Sequence, residues 1–120
     1  VAAFSKDLYL SCIMEGQLRA YTEFTLTNIQ DLKSEFKTIR ERGFAECVEE
    51  IERGICSVAA PIATSGPGAT ISIGATGSVR VFTSAFRDKL GPQIAKIARD
   101  LSINLGWDVT PDKENSTSKA

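Results

Sequence analysis

The chain has 120 residues and a mass of 13.0 kDa, room for one domain with a core of its own. Hydrophobic residues make up 42 % and charged residues 24 %, which is ordinary globular composition. Fourteen Lys+Arg against fifteen Asp+Glu give a net charge of -1 and a pI near 5.5, which excludes a strong grip on nucleic-acid phosphates by this chain alone.

Val1-Ala-Ala-Phe4 is apolar but too short for the core of a secretory signal. Ser5 is placed to cap a helix over Lys6 to Met14, with Leu8, Cys12 and Ile13 on one face and Gly16 as its stop. Thr22 to Thr27 reads as a threonine-rich connector. The clearest helical pattern is Asp31 to Arg42, where Leu32, Phe36 and Ile39 fall at i, i+4 and i+7 and Gly43 ends the run. Phe44 to Val48 is a short strand, Glu49 to Gly54 an acidic turn, and Ile55 to Ala63 an apolar central strand.

Ser65-Gly66-Pro67-Gly68 signals a turn. Beyond it Ala69 to Ala75 alternates, with Ile71, Ile73 and Ala75 on one face and Thr70, Ser72 and Gly74 on the other. The two strands together predict an antiparallel hairpin. Phe82, Phe86, Leu90, Ile94, Ile97, Leu101 and Leu105 then make a long stripe on a helix from about Thr83 to Leu105, the expected core face. Thr83 or Ser84 would cap this helix, and Gly91-Pro92 would kink it or split it in two. Residues 108–120 are polar, carry Pro111 and no apolar period, and read as a disordered tail. No run approaches the ~20 apolar residues of a membrane helix.

Interleaved helices and strands with a hairpin predict an α+β domain, a largely antiparallel sheet with helices against it. The order of motifs sharpens this. A helix runs into Arg40-Glu-Arg-Gly-Phe-Ala45, an acidic Glu50-Ile-Glu-Arg-Gly54 follows, and then Ala59-Ala-Pro-Ile62. This resembles the effector-binding domain of the IclR family of bacterial transcription regulators. The resemblance covers Val1 to Trp107 and implies a GAF-like, profilin-like sensor fold. It further implies that two strands, a loop and a winged-helix DNA reader precede Val1 in the family's arrangement.

In that family a small organic acid lies against the sheet. Carried over by position, the family's frequent aspartate falls at Cys47, its frequent cysteine at Ser57, and its Ser-x-Ser pair at Gly74 and Thr76. Leu10 and Met14 would supply an apolar wall. A thiol and a glycine in place of a carboxylate and a hydroxyl remove hydrogen-bonding capacity and add room, which suggests a ligand larger or less polar than glyoxylate-type acids.

Each of these residues also has a plainer reading. Ser57 in a buried strand can be a small hydroxyl satisfied by backbone. Cys47 and Cys56 can be small hydrophobic fillers. Glu46, Glu49, Glu50 and Glu52 can be a solvated acidic turn rather than an oxygen-ligand metal site, with Glu50 shaping the turn. The glycine clusters lack the Gly-Lys-Ser/Thr of a phosphate loop and read as a hairpin turn and a strand end.

The chain contains no histidine, which removes serine-type triads, Cys–His pairs and most zinc sites. Three cysteines, an odd and widely spaced set, argue against a disulfide framework and fit reduced thiols in the cytoplasm. The function that the resemblance implies is a ligand-sensing, oligomerising domain, without a resident metal or cofactor, that acts on DNA through a separate domain. A dimerisation module with a degenerate pocket, or a small enzyme, are the alternatives.

Overall fold

The computed structural model describes residues 1–4, 11, 15–63 and 71–106. The expected helix over Lys6 to Met14 (except Ser11), the Ser65 to Gly68 turn, Trp107 and the polar tail lie outside the described residues. In chain order the fold is a short 3-10 turn Ala2–Phe4, helix α1 Ile29–Arg42, strands β1 Ala45–Val48, β2 Ile55–Ile62 and β3 Ile71–Ser78, and helix α2 Ser84–Asn104.

Helix α1 begins two residues earlier than its apolar period suggests. Asn28 takes the N-cap, its side chain accepting from the N–H groups of Gln30 and Asp31, so orphan donors are satisfied before the first core residue. Gly43 ends the helix at φ 85°, a left-handed conformation that favours glycine, and its N–H donates to the Ile39 carbonyl at 2.8 Å.

The three strands form an antiparallel meander in the order β1-β2-β3, with β2 in the centre as expected. The hairpin is confirmed, and β3 runs three residues past Ala75 to Ser78. Gly74 and Gly77 therefore lie inside a strand and not at its end. Pro61 sits past the last β1 partner of β2, which is Ala59, so the residue without an N–H occupies the part of β2 that β1 does not pair.

Strand alternation gives β2 two faces. Cys56, Val58, Ala60 and Ile62 are buried and form the main core with Phe44, Phe82, Ile94, Ala95 and Ala98. Val58 is completely buried, and its burial stabilises the fold by roughly 1.5–3 kcal/mol. A second cluster of Ala3, Phe36 and Ile39, with Leu32 and Ala45 beside it, lies on the opposite face of the sheet. The sheet is thus sandwiched between α2 on one side and α1 with the 3-10 turn on the other.

Helix α2 departs from its sequence reading in two ways. It is one element through Gly91-Pro92 and not two. Its buried face is also not the large-residue stripe. Gly91, Ile94, Ala95, Ala98 and Ser102 are buried, whereas Phe86, Ile97 and Leu105 are exposed, with Leu90 and Leu101 at the margin. Small residues at i, i+4, i+7 and i+11 let the helix backbone approach the sheet closely, and the bulky side chains are turned to the flanks. Thr83 caps the helix, its hydroxyl accepting from the Phe86 N–H. Among the described residues no helix is long and apolar enough to cross a membrane.

Candidate functional site

The register places three polar side chains in one row. Cys47 on β1 opposes Ser57 on β2, and Ser57 opposes Thr76 on β3. Directly opposed side chains in a sheet lie about 4.5–5.5 Å apart at Cβ. The row lies on the face away from α2, since its β2 member alternates with Cys56 and Val58. One step along the strands, Ala45, Ala59 and Gly74 make the next row of the same face. Four of the six residues expected from the sequence therefore share one surface. Cys47 and Ser57 are half-buried and Thr76 and Gly74 exposed. Leu10 and Met14 lie outside the described residues.

Glu50 lies half-buried in the turn that follows β1. Glu50 and Ser57 are the polar residues that act on the Cys47 thiol. Burial pushes the thiol above its usual range, and the Glu50 charge adds to that, while the Glu50 backbone and Ser57 bonds oppose it. Burial likewise pushes the Glu50 carboxyl up; the bond from Cys47 pulls it down, and the charge of Glu35 raises it further. Cys47 is half-buried, unlike the fully buried Cys56. Glu50, read from the sequence as a turn-shaping residue, has its carbonyl held by the Thr25 hydroxyl.

The threonine-rich connector holds this turn. The Thr22 hydroxyl donates to the Glu49 carbonyl at 2.6 Å, and the Thr25 hydroxyl donates to the Glu50 carbonyl. Inside the turn Glu49 adopts φ 56°, and its carboxylate accepts from the Gly54 N–H at 2.9 Å. Arg53 pairs with Glu23 on the exposed side. Two elements that look like polar filler in the sequence thus fix the position of Glu50.

Glu46 does not belong to the site. Its alternation sends it to the α2 face, where it pairs with Arg87 at 3.4 Å. Gly74 does not supply room either. A Cβ there would lie 2.8 Å from the Val58 carbonyl oxygen and 2.9 Å from the Ala59 Cβ, so the neighbouring strand already occupies the space. Among the described residues no group of three or more His, Cys, Asp and Glu converges on a metal position.

A cavity of about 140 Å³ lies on the same sheet face, walled by the 3-10 turn, Phe36, Ile39, Ala45, Ala59, Pro61 and Ser72. Ala45 and Ala59 carry it to within one register step of the Cys47–Ser57 pair. None of Cys47, Ser57, Gly74 or Thr76 lines it. It is smaller than the roughly 300–1,000 Å³ of ordinary ligand pockets and mostly apolar. By itself it can take a methyl-sized or ring-edge group, with the polar row beside it.

The family model for the bacterial transcriptional regulator IclR C-terminal domain matches residues 1–103. An uncharacterised HTH-type transcriptional regulator of Haemophilus influenzae is 29 % identical over 94 residues, covering 78 % of this chain and 35 % of the relative. The crystal structure of the Thermotoga maritima IclR superposes with a TM-score of 0.81 at 30 % identity, over 88 % of this chain and 43 % of that one. The inducer-binding domain of PobR from Acinetobacter, a double mutant in complex with 3-hydroxybenzoic acid, shares the fold, with a TM-score of 0.71 at 16 % identity over 84 % and 58 % of the two chains. The chain spans about a third of the curated relative and under half of the Thermotoga protein. With a match that runs from the 3-10 turn almost to the end of α2, the chain belongs to the IclR family of bacterial transcriptional regulators, to its C-terminal domain.

Proposed function

We propose that this domain senses a small organic molecule on the sheet face opposite α2, and that Cys47, Ser57 and Thr76 contact it. The observation that carries the reading is the single row these residues make across all three strands. Gly74 forms the adjacent floor, and Leu10 and Met14 are assigned to the apolar wall. A small organic acid is the ligand class expected from the sequence, and the fold shared with the PobR inducer-binding domain supports it. In a cytoplasmic regulator, a ligand that prefers one arrangement of this domain shifts its population, and that shift is passed to a DNA-reading domain elsewhere in the protein.

The test is a thermal-shift and calorimetric screen against keto, hydroxy, sugar and aromatic acids. Stabilisation by one chemical class, lost in Ser57→Ala and kept in a control variant on α2, is the expected result. A folded chain that no acid stabilises would overturn it.

A second role has its own observation. Phe86, Ile97, Ile103 and Leu105 leave large apolar side chains exposed along α2, a composition suited to self-association. Sedimentation velocity with Ile97→Glu tests it; a monomer at every concentration would remove the assembly role.

A further inference from the structure

Given the sensing role just proposed, on which this inference rests, the cavity of about 140 Å³ beside the polar row narrows the ligand class. The sheet register fixes its distance from that row. Ala45 and Ala59 stand two residues along their strands from Cys47 and Ser57, and Pro61 and Ser72 form the next pair position on the same face. Two residues of strand span about 6.5 Å, so the cavity begins about 6.5 Å from the polar row and ends at about 13 Å. Ala45 and Ala59 carry only methyl groups and Gly74 carries no side chain, so no bulky group of these strands rises between the row and the cavity.

The cavity lining is apolar. Phe36 and Ile39 cover it from α1, the 3-10 turn closes one wall, and among the described lining residues Ser72 has the one polar side chain. Burial holds the Val1 amino group in that wall below its ordinary range, as an apolar surrounding does. A buried water needs about two to four polar partners, which these side chains do not offer, whereas a dry apolar cavity of about 150 Å³ takes up a benzene ring. This cavity is partly open, so a ring or a short alkyl group enters it by one edge.

We propose that the cavity is the apolar subsite of the sensor and that its ligand is an amphiphile. A compact hydrocarbon end, a ring edge or a short alkyl group, lies under Phe36 and Ile39, while the polar head reaches the Cys47–Ser57–Thr76 row. The room that Gly74 does not supply is found between α1 and the strands.

Calorimetry on this chain with straight-chain carboxylic acids from acetate to octanoate, and with primary alcohols of the same lengths, tests the subsite. The shortest members should bind alike. Affinity should then rise about fourfold per methylene once the chain passes Ala45 and Ala59, and level off when the cavity is full. The same rise in the alcohols places the gain at the hydrocarbon end. A rise in the acids alone would mean that a charge carries it, the Val1 amino group included, and would overturn the proposal.

Phe36 and Ile39 also hold α1 to the sheet, so the variants are made on the strands. Ala59→Val and Ala45→Val each put methyl groups into the cavity with a side chain that suits a strand. In either one, shown to be folded by its melting curve, the ratio of octanoate to propanoate affinity should fall toward one. Ser57→Ala should weaken both acids and keep the ratio.

Affinity independent of length in the unaltered chain, or a ratio that survives in both filled variants, overturns the apolar subsite and leaves the sensing role standing. So does a chain that binds none of these probes but binds a keto, hydroxy or sugar acid. A folded chain that binds nothing in either set overturns both.

Discussion

The ring of Phe44 occupies the place where a side chain at Gly91 would begin: a Cβ on Gly91 would lie 2.3 Å from the Phe44 Cε2. Phe44 is buried between the end of α1 and α2, and the Arg42 guanidinium covers its other side. This contact lets α2 lie close to the sheet. It also explains a glycine inside a helix, where glycine costs about 1 kcal/mol relative to alanine.

Gly91→Ala should therefore destabilise the domain in spite of its better helix propensity. Overpacking of this kind typically costs about 1–3 kcal/mol, which exceeds the propensity gain. Urea denaturation measures the balance. Pairing it with Phe44→Leu should recover part of the loss, and a strictly additive double mutant would show that the two residues are not coupled.

Ser102 ties the end of β2 to α2. It is almost fully buried, its hydroxyl donates to the Ala98 carbonyl at 2.8 Å, and it accepts from the Ala63 N–H at 2.9 Å. Ser102→Ala leaves a sheltered N–H without its partner, at a cost of roughly 1–3 kcal/mol. The expected signature is a lower urea midpoint and faster amide exchange at Ala63. An unchanged exchange rate there would mean that another acceptor takes over.

The raised Glu50 carboxyl makes a signed prediction about pH. Its folded-state pKa lies above the unfolded value of about 4.5, so the folded state prefers the protonated form. The stability linked to that proton is fully present below the unfolded pKa and is lost as pH rises through the folded pKa. Glu50→Gln lacks this loss. Its stability relative to the parent chain should rise as pH climbs from about 4.5 toward neutrality, and the two should converge in acid. Denaturation midpoints across that range decide it; parallel profiles would show that Glu50 is not responsible.

Gly74→Ser would restore the hydroxyl that the family resemblance expects there. The Val58 carbonyl and the Ala59 Cβ stand in its way, so β2 and β3 must part for the new Cβ. A loss of about 1–3 kcal/mol is expected, with Thr76→Ser on the same strand nearly neutral. A stable Gly74→Ser with unaltered strand pairing would show the sheet to be more yielding than its packing suggests.

Much of the fold was legible from local chemistry. The Leu32–Phe36–Ile39 period marks α1, Gly43 marks its end, alternation about Ile73 marks β3, and Arg40 to Ile62 carries the family order. Such features depend on neighbours in the chain, where helix period, strand alternation and cap chemistry act. The four sheet residues of the candidate site were legible for a related reason. A side-chain period of two fixes the face of each strand once the register is known, and a shared motif order suggests which positions to compare.

Composition and sequence order determined the class of the domain, its family, the absence of histidine chemistry and the central place of β2. Only the tertiary structure decided which face of α2 is buried, because the apolar period of that helix admits two faces and close approach to a flat sheet favours the one lined with Gly91, Ala95, Ala98 and Ser102. Only the tertiary structure, too, sent Glu46 to Arg87 and filled the space beside Gly74. Glu46 and Arg87 are 41 positions apart and Gly74 meets Val58 and Ala59 from the next strand, and such contacts leave no periodic trace in a single sequence.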